Sequence, residues 1–351
     1  MKNAIKRNRC IDILKAFSCI MIVYIHSLNL YSYAGKELPY VLFYLNNIVK
    51  CGVPIFFMIS GYLSIHGGGY KYTQLLFKKI KSLLIPFIIW NFIYLIFEIV
   101  GHWLIPSVFD DVTKWNFVDL VTNLFGIPFV KPPIYEPLWF VRELFILFLL
   151  YPIIVFCVSY ISDIILLALL AVIAIINIPM LYNGGYMLNT SFPFFCLGIW
   201  LGKGGEKQRN IIEFIRKREF IIVSTCIAVG LSFVYNTFDI NSIIKSAIRT
   251  FIMLLYLPII YYAAKSIEKN NSSLNKIFID IAKYSFMIYV LHGKLLTIIQ
   301  NICIKLFPQN AVILVAEFMI FPILVIIIVI GIAAALNKIL PSLYRFLIGG
   351  R

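Results

Sequence analysis

The feature that most constrains this chain is a succession of apolar stretches, each close to the length that a helix needs to cross a bilayer. Ten can be placed, at about residues 10–33, 41–65, 82–105, 137–158, 162–180, 189–203, 219–237, 243–264, 282–305 and 310–337. A helix rises about 1.5 Å per residue, so about 20 residues span a hydrocarbon core of roughly 30 Å. We therefore predict an all-α polytopic membrane protein, a bundle of about ten transmembrane helices.

The composition excludes a water-soluble globular domain. Hydrophobic residues make up 61% of the 351 residues and charged residues only 13%, about half of the charged share that is usual in soluble domains. The net charge of +15 does not indicate nucleic-acid binding, because the Lys and Arg residues cluster in the connections between apolar stretches. The seven cysteines show no paired spacing, so we expect neither a disulfide framework nor a metal site.

The basic residues also predict the orientation of the bundle. With ten spans they fall on one side: before the first span, after the second, sixth and eighth, and after the tenth. The positive-inside rule makes that side cytoplasmic and places both termini there. On the other side lies a loop at about 106–136, in which KWNFVDLVTNLFG has the spacing of an interfacial helix. We expect one membrane domain over residues 1–351, with short cytoplasmic ends.

The first apolar stretch, RCIDILKAFSCIMIVYIHSLNL, carries ionisable residues where they are costly and usually functional. Lys15 and His26 are eleven residues apart, and eleven steps of about 100° bring both side chains to one helix face. They are separated by roughly 16 Å along the axis. Asp12 lies three residues before Lys15. One face of this helix therefore offers a cation near one boundary of the membrane and an imidazole towards the other.

These residues allow more than one role. His26 is placed to act as a general base on an alcohol near neutral pH, or to form a hydrogen bond between helices. Lys15 is placed to extend to the headgroups, to pair with Asp12 or to bind an anion.

Further polar groups are predicted at the two depths that Lys15 and His26 mark. Ser60 and Gly61 lie near the cytoplasmic end of the second span, where they either line a narrow channel or permit close helix packing. A basic cluster follows, suited to phosphates, and consists of Lys78, Lys79 and Lys81.

Nearer the outer face lie Arg142 and Glu143, which are adjacent and so point about 100° apart towards different partners. Tyr289 and His292 belong to a polar stripe on the ninth span, for which packing and site-lining roles are both open.

Five of these segments, in this order, resemble the acyltransferase 3 family of integral membrane acyltransferases. They are Lys15-AFSCIMIVYI-His26, Gly52-VPIFFMI-Ser60-Gly61, the run KKIKSLLIPF, the LWF segment that starts at Leu138, and Tyr284-SFMIYVL-His292. The first departs from the family pattern by having Lys where Arg is frequent, which removes bidentate phosphate recognition.

The resemblance implies transfer of an acyl group, with acetyl the expected one, from cytosolic acyl-CoA to a hydroxyl of a cell-surface or lipid-linked glycan. It implies that His26 is the catalytic base, and we expect Glu143 to assist it. We expect Lys15, Ser60, Gly61, Lys78, Lys79 and Lys81 to bind the donor, and Asp12, Arg142, Tyr289 and His292 to line the site. The implied partners are acyl-CoA, the glycan and the lipid bilayer of the inner (cytoplasmic) membrane; no nucleic acid, metal or tightly bound cofactor is expected.

Two other classes of function stay open from the residues alone. A transporter or flippase also carries charges and glycines within its spans. A membrane sensing domain of the same fold would keep the bundle without the reaction.

Overall fold

A computed structural model describes residues 8–33, 39–66, 71–104, 111–126, 131–176, 188–270, 273–308 and 310–350. This part of the chain is helical and contains no β-strand, which confirms the all-α prediction. The α-helices are α1 (Arg9–Tyr33), α2 (Tyr40–Val49), α3 (Gly52–His66), α4 (Tyr72–Lys79), α5 (Ile85–Leu104), α6 (Phe117–Phe125), α7 (Trp139–Leu149), α8 (Tyr151–Tyr160), α9 (Asp163–Ile175), α10 (Leu188–Gly202), α11 (Glu206–Ile215), α12 (Arg218–Thr237), α13 (Ser242–Asn270), α14 (Ser273–Leu306), α15 (Ala311–Ile339) and α16 (Pro341–Leu347). A π-helical segment, Ile80–Leu84, joins α4 to α5.

Within the described residues, seven helical segments are long and apolar enough to cross a membrane. They are Arg9–Leu28, Tyr40–His66, Tyr72–Leu104, Arg218–Thr237, Ser242–Asn270, Ser273–Leu306 and Ala311–Ile339. The chain is thus a multi-pass membrane protein by length and composition. The fourth predicted span is divided between α7 and α8, and the fifth and sixth correspond to α9 and α10, which are 13 and 15 residues long. The count of ten therefore stays a prediction.

The fourth predicted span is bent by 65° between α7 and α8. Pro152 lies in the first turn of α8, and proline has no N–H with which to continue the hydrogen bonds of the preceding helix. Its ring also crowds the carbonyl group four residues earlier, so the helix breaks at this point.

The helix predicted in KWNFVDLVTNLFG is confirmed as α6. The Asn116 side chain accepts a hydrogen bond from the backbone N–H of Asp119 at 2.8 Å and so caps its start. Gly126 ends the helix with φ 54°, a left-handed conformation that glycine adopts without strain. Residues 106–110 and 127–130 of the predicted loop lie outside the described residues.

The chain divides into two compact units. The first consists of residues 1–65 and 197–333, and the second of residues 66–196 and 334–351.

In the first unit α1 packs against α14, and the two helices run in the same direction. Cys19 on α1 lies against the carbonyl group of Ser285 on α14. Further along both helices, the Gln300 side chain donates a hydrogen bond to the carbonyl oxygen of Ser27 at 2.6 Å. Positions later in α1 thus meet positions later in α14.

Helices α2, α3, α13 and α15 run opposite to α1. Their contacts show this, because later positions of α1 meet earlier positions of each of them. On α13, Glu268 accepts a hydrogen bond from the backbone N–H of Cys10, and Ala264 shares a core cluster with Ile13. On α2 and α3, Leu42 shares a core cluster with Leu28, and Gly52 packs on Ser18. On α15, Met319 accepts a hydrogen bond from Tyr24, and Val315 packs against the cluster that contains Leu28. In the first unit α14 is therefore parallel to α1, and these four helices are antiparallel to it.

Helix α10 runs parallel to α3 and touches its backbone. A Cβ added at Gly198 would collide with the carbonyl group of Met58, and one added at Gly202 would lie 3.2 Å from the carbonyl oxygen of Tyr62. The two glycines are four residues apart and share one face, as in the small-x-x-x-small motif of membrane helices. The absence of side chains on this face permits the close approach.

In the second unit α5 packs with α6 and α16. The Trp90 indole on α5 donates a hydrogen bond to the carbonyl oxygen of Leu347 at 3.0 Å. The ring of Tyr94 stacks on that of Tyr135 with centroids 4.1 Å apart. These contacts hold the segment just before α7 against α5.

Candidate active site

His292 on α14 is fully buried. Its Nδ1 atom lies 2.7 Å from the carbonyl oxygen of Tyr289 and 3.1 Å from that of Ile288. Because a carbonyl oxygen can only accept, these contacts assign the ring proton to Nδ1 and leave Nε2 as an acceptor. Nε2 is buried and has no hydrogen-bond partner within the described part of the chain, so the ring presents an unsatisfied lone pair inside the bundle.

The neighbour of that ring is His26 on α1. The two imidazole centroids are 4.9 Å apart and the rings are tilted by 56°. His26 is half-buried, whereas His292 has no exposed surface. Across the ranges that the structure describes, no hydrogen bond to the His26 ring is found, so its nitrogens are available to a bound molecule. The pair thus consists of one accessible imidazole backed by one enclosed imidazole.

Contacts on either side of the pair fix its position. Gln300, also fully buried, holds the carbonyl oxygen of Ser27, the residue after His26. Tyr24, two residues before His26, donates its hydroxyl proton to the carbonyl oxygen of Met319 on α15 at 3.2 Å. Side-chain hydrogen bonds between membrane helices contribute about 0.6 kcal/mol each on average. The bonds of Gln300 and Tyr24 together limit the movement of α1 at the height of His26.

Lys15 lies on the same uninterrupted helix, one turn before Cys19, which faces α14. Its Nζ atom is 3.9 Å from Oδ1 of Asp12, the limit of an ion pair. The Lys15 side chain is 32% exposed and that of Asp12 only 12%. Of the roles left open for Lys15, the structure shows the pairing with Asp12.

Ser60 and Gly61 lie on α3, where α10 makes its closest approach. Gly61 is buried and Ser60 half-buried, and the carbonyl oxygen of Gly61 accepts a hydrogen bond from Ser64 at 2.6 Å. The backbone on either side, at Met58 and Tyr62, contacts Gly198. This geometry favours the packing interpretation of the Ser60–Gly61 segment over the channel interpretation.

Arg142 and Glu143 lie on α7 in the second unit and both are buried. The expectation that they serve different partners holds only in part, because the guanidinium group also lies 3.9 Å from the Glu143 carboxylate. The Arg side chain is long enough to fold across the 100° between adjacent positions. It also donates to the carbonyl oxygen of Gly126, so it places a cation at the C-terminal end of α6, where the helix dipole favours one.

The three lysines predicted to bind phosphates also lie in the second unit. Lys78 and Lys81 are exposed. Lys79 is half-buried, and its ammonium group lies 3.8 Å from the centroid of the Phe148 ring, a cation–π contact. Lys79 therefore packs against α7, whereas Lys78 and Lys81 present their charge at the surface of the unit.

A family model described as an acyltransferase domain, Acyl_transf_3, matches residues 8–337. The chain belongs to the acyltransferase 3 family. The match covers nearly the whole chain and confirms the resemblance that the five motifs predicted. Neither a curated protein nor a solved structure gives a significant match. Family membership assigns the chain to the membrane acyltransferases.

In this acyltransferase the predicted site residues fall into groups. The first unit brings His26, His292 and Tyr289 together, with ring centroids of Tyr289 and His292 6.3 Å apart, and pairs Lys15 with Asp12. The second unit holds Arg142, Glu143 and the three lysines. The assistance expected from Glu143 therefore stays a prediction. Within the described residues, no group of three or more His, Cys, Asp or Glu side chains is arranged to hold a metal ion.

Sequence reasoning missed two features of the first unit. It gave no role to Gln300, whose amide fixes Ser27. The spacing of apolar residues in α14 shows Gln300 on a buried face, but no pattern pairs it with a residue 273 positions away. It also passed over the amphipathic segment EKQRNIIEFI, which forms α11. Its three isoleucines at helical spacing were the available signal.

Proposed function

We propose that this protein transfers an acyl group, acetyl being the expected one, from cytosolic acyl-CoA to a hydroxyl of a cell-surface or lipid-linked glycan. The observation that carries the proposal is the accessible His26 ring beside the enclosed Nε2 of His292. Family membership supplies the reaction class, and the histidine pair offers a base for it.

The chemistry requires one proton to move twice. His26 takes the proton from the acceptor hydroxyl as that oxygen attacks the thioester carbonyl carbon. The tetrahedral intermediate collapses, the carbon–sulfur bond breaks, and the sulfur leaves with the proton returned by His26. The products are the ester and the free thiol of CoA, and His26 ends the cycle neutral.

His292 is assigned the role of positioning residue. Its Nε2 is a fixed acceptor, and the neighbouring ring that can offer an N–H is His26. When Nε2 of His292 accepts a hydrogen bond from this N–H, the other nitrogen of His26 is left unprotonated and aimed away from α14. This is the orientation of a base by a second group that acyl-transfer enzymes use.

Donor entry from the cytosol is proposed from the position of Lys15. Because α1 is uninterrupted, the side chains of Lys15 and His26 are separated by roughly 16 Å along its axis. This length is of the same order as an extended pantetheine arm. A donor with its phosphates near Lys15 would present its thioester near His26. The lysines Lys78, Lys79 and Lys81 are proposed to contribute to phosphate binding through their positive charge.

The helix directions support ten spans with both termini in the cytoplasm. Helix α10 runs parallel to α3, so an odd number of crossings must separate them. Helix α5, the bent α7–α8 pair and α9 supply three, provided that the short α9 crosses. With that count the basic connections lie on one side, as the positive-inside rule requires for an inner membrane protein.

The proposal is tested with the full chain in proteoliposomes, labelled acetyl-CoA outside and candidate glycans on either side. We expect a labelled glycan ester with the wild type and with His66→Ala, and none with His26→Ala. His66 lies at the end of α3 and serves as the matched histidine control. Uptake of glycan without ester formation would instead support a transporter and would refute the proposal.

A further inference from the structure

Two cavities adjoin at the end of the first unit where α1 begins and α13 ends. One has a volume of about 430 Å³ and is lined by polar groups that include Arg216, Lys265 and Lys269. The other has a volume of about 340 Å³ and is lined mainly by Ile, Leu and Met side chains. Tyr261 and Lys265 border both. Together they form one space with a basic end and an apolar end.

The basic end keeps an excess of positive charge. Its one carboxylate, Glu268, accepts hydrogen bonds from Lys265 at 2.7 Å and from the backbone N–H of Cys10 at 3.1 Å. These two partners occupy the Glu268 carboxylate, which leaves Arg216 and Lys269 to attract an anion. Both are exposed, and the planar fork of an arginine matches a phosphate group.

The apolar end has the depth of one leaflet of a bilayer. On α13 its wall extends from Lys265 down to Leu254, eleven residues or roughly 16 Å, which is about half of the hydrocarbon core. Helix α11 covers it from the side with Ile211, Ile212 and Ile215. The charged residues of α11 lie on its other face, as in helices that lie along a membrane interface.

We propose that this space binds one anionic phospholipid of the bilayer, with the phosphate at Arg216 and Lys269 and an acyl chain under α11. A hydrocarbon chain matches the apolar wall, whereas the amides of a pantetheine arm would lose hydrogen bonds there. Basic pockets between membrane helices are recognised sites for anionic headgroups. The proposal does not depend on the acyl-transfer reaction.

The test uses the full-length protein in neutral detergent and native mass spectrometry of bound lipid. Phosphatidylglycerol is compared with phosphatidylcholine of the same chains. We expect phosphatidylglycerol to bind more tightly than phosphatidylcholine. The double variant Arg216→Ala/Lys269→Ala should weaken phosphatidylglycerol binding about 25-fold, since each basic residue near a headgroup contributes about fivefold. The matched control Lys217→Ala/Arg218→Ala removes the same charge from residues outside the two cavities and should leave binding unchanged.

A second variant tests the apolar end. Ile212→Trp fills the cavity without changing charge and should weaken binding of phosphatidylglycerol and phosphatidylcholine alike. Equal binding of the two lipids to the wild type would overturn the proposal. Displacement of the lipid by inorganic phosphate would reveal an anion site only, and would also overturn it.

A third outcome would assign the space to the donor. If acyl-CoA displaces the lipid, and Arg216→Ala/Lys269→Ala raises the KM for acyl-CoA while the Lys217→Ala/Arg218→Ala control does not, the lipid proposal is refuted. Failure of the acyl-transfer proposal would show only in the labelled-ester assay, so the two results are distinguishable.

Discussion

Substitution of Gly198 by alanine tests the close contact between α10 and α3. The added Cβ would meet the carbonyl oxygen and carbonyl carbon of Met58 and the backbone nitrogen of Tyr62, the last at 2.9 Å. All three atoms belong to helical backbone, which cannot rotate away as a side chain can. The helices must separate or shift, so Gly198→Ala should destabilise the protein although alanine is the better helix former.

The size of the effect follows from what must move. Overpacking by one methyl group in a rigid contact costs about 1–3 kcal/mol, while replacement of a helical glycine by alanine returns about 0.5–1 kcal/mol. The net loss lies between about 0 and 2.5 kcal/mol. Because the added Cβ would meet helical backbone on all sides, we expect the upper part of that range, about 2 kcal/mol, or roughly a 30-fold shift of the folding equilibrium.

A thiol-reactive dye gives the measurement, because the chain carries free cysteines that are buried, including Cys19, Cys51 and Cys196. Their exposure on heating reports unfolding in detergent. The matched control is Gly230→Ala, where the added Cβ meets nothing within 4 Å, so the Tm should stay the same or rise. If Gly198→Ala melts at or above the wild-type temperature, the assignment of a tight α3–α10 contact is refuted.

Substitutions at His292, Gln300 and Arg142 test three further sets of contacts. His292→Ala should lower kcat about tenfold, which corresponds to the loss of one hydrogen bond of about 1.4 kcal/mol, and should leave the KM for acyl-CoA unchanged. His292→Asn keeps a hydrogen-bond acceptor and should recover part of the lost kcat. An unchanged kcat in His292→Ala would contradict the positioning role. Gln300→Met should lower stability in the dye assay by about 0.5–1.5 kcal/mol because the Ser27 carbonyl oxygen loses its donor; an unchanged melting curve would argue against that bond. Arg142→Met should lower the free energy of unfolding by about 3–5 kcal/mol, since it takes a cation from the buried Glu143. The double variant Arg142→Met/Glu143→Gln should recover much of that stability. Equal stability of the two variants would show that the pair does not interact.

The helix that carries Lys15 and His26 was predictable because both its length and its polar spacing are local properties. The periodicity of a helix alone puts the two residues on one face. The amphipathic spacing that forms α6 is local in the same way. The break at Pro152 has a local cause too, although one unbroken span was predicted over about 137–158. These elements follow from the chain within a few residues of each position.

The contacts that form the site were not predictable from local pattern. His26 and His292 are far apart in the chain, and the sequence offered only two histidines in separate apolar stretches. Their pairing depends on the parallel packing of α1 on α14, which results from many weak apolar contacts. The pairing of Arg142 with Glu143 was not predicted because helical angles describe where side chains start and not where a long side chain ends.

The most direct test of the central claim is the rate of acyl transfer at His26. Single-turnover transfer from labelled acetyl-CoA to the glycan should be measured for wild type, His26→Ala and His66→Ala, each checked for folding with the thiol dye. Loss of a general base lowers the rate by about 10²- to 10⁴-fold, so we expect such a fall in His26→Ala with an unchanged melting curve, and a wild-type rate in His66→Ala. A wild-type rate in folded His26→Ala would contradict the mechanism.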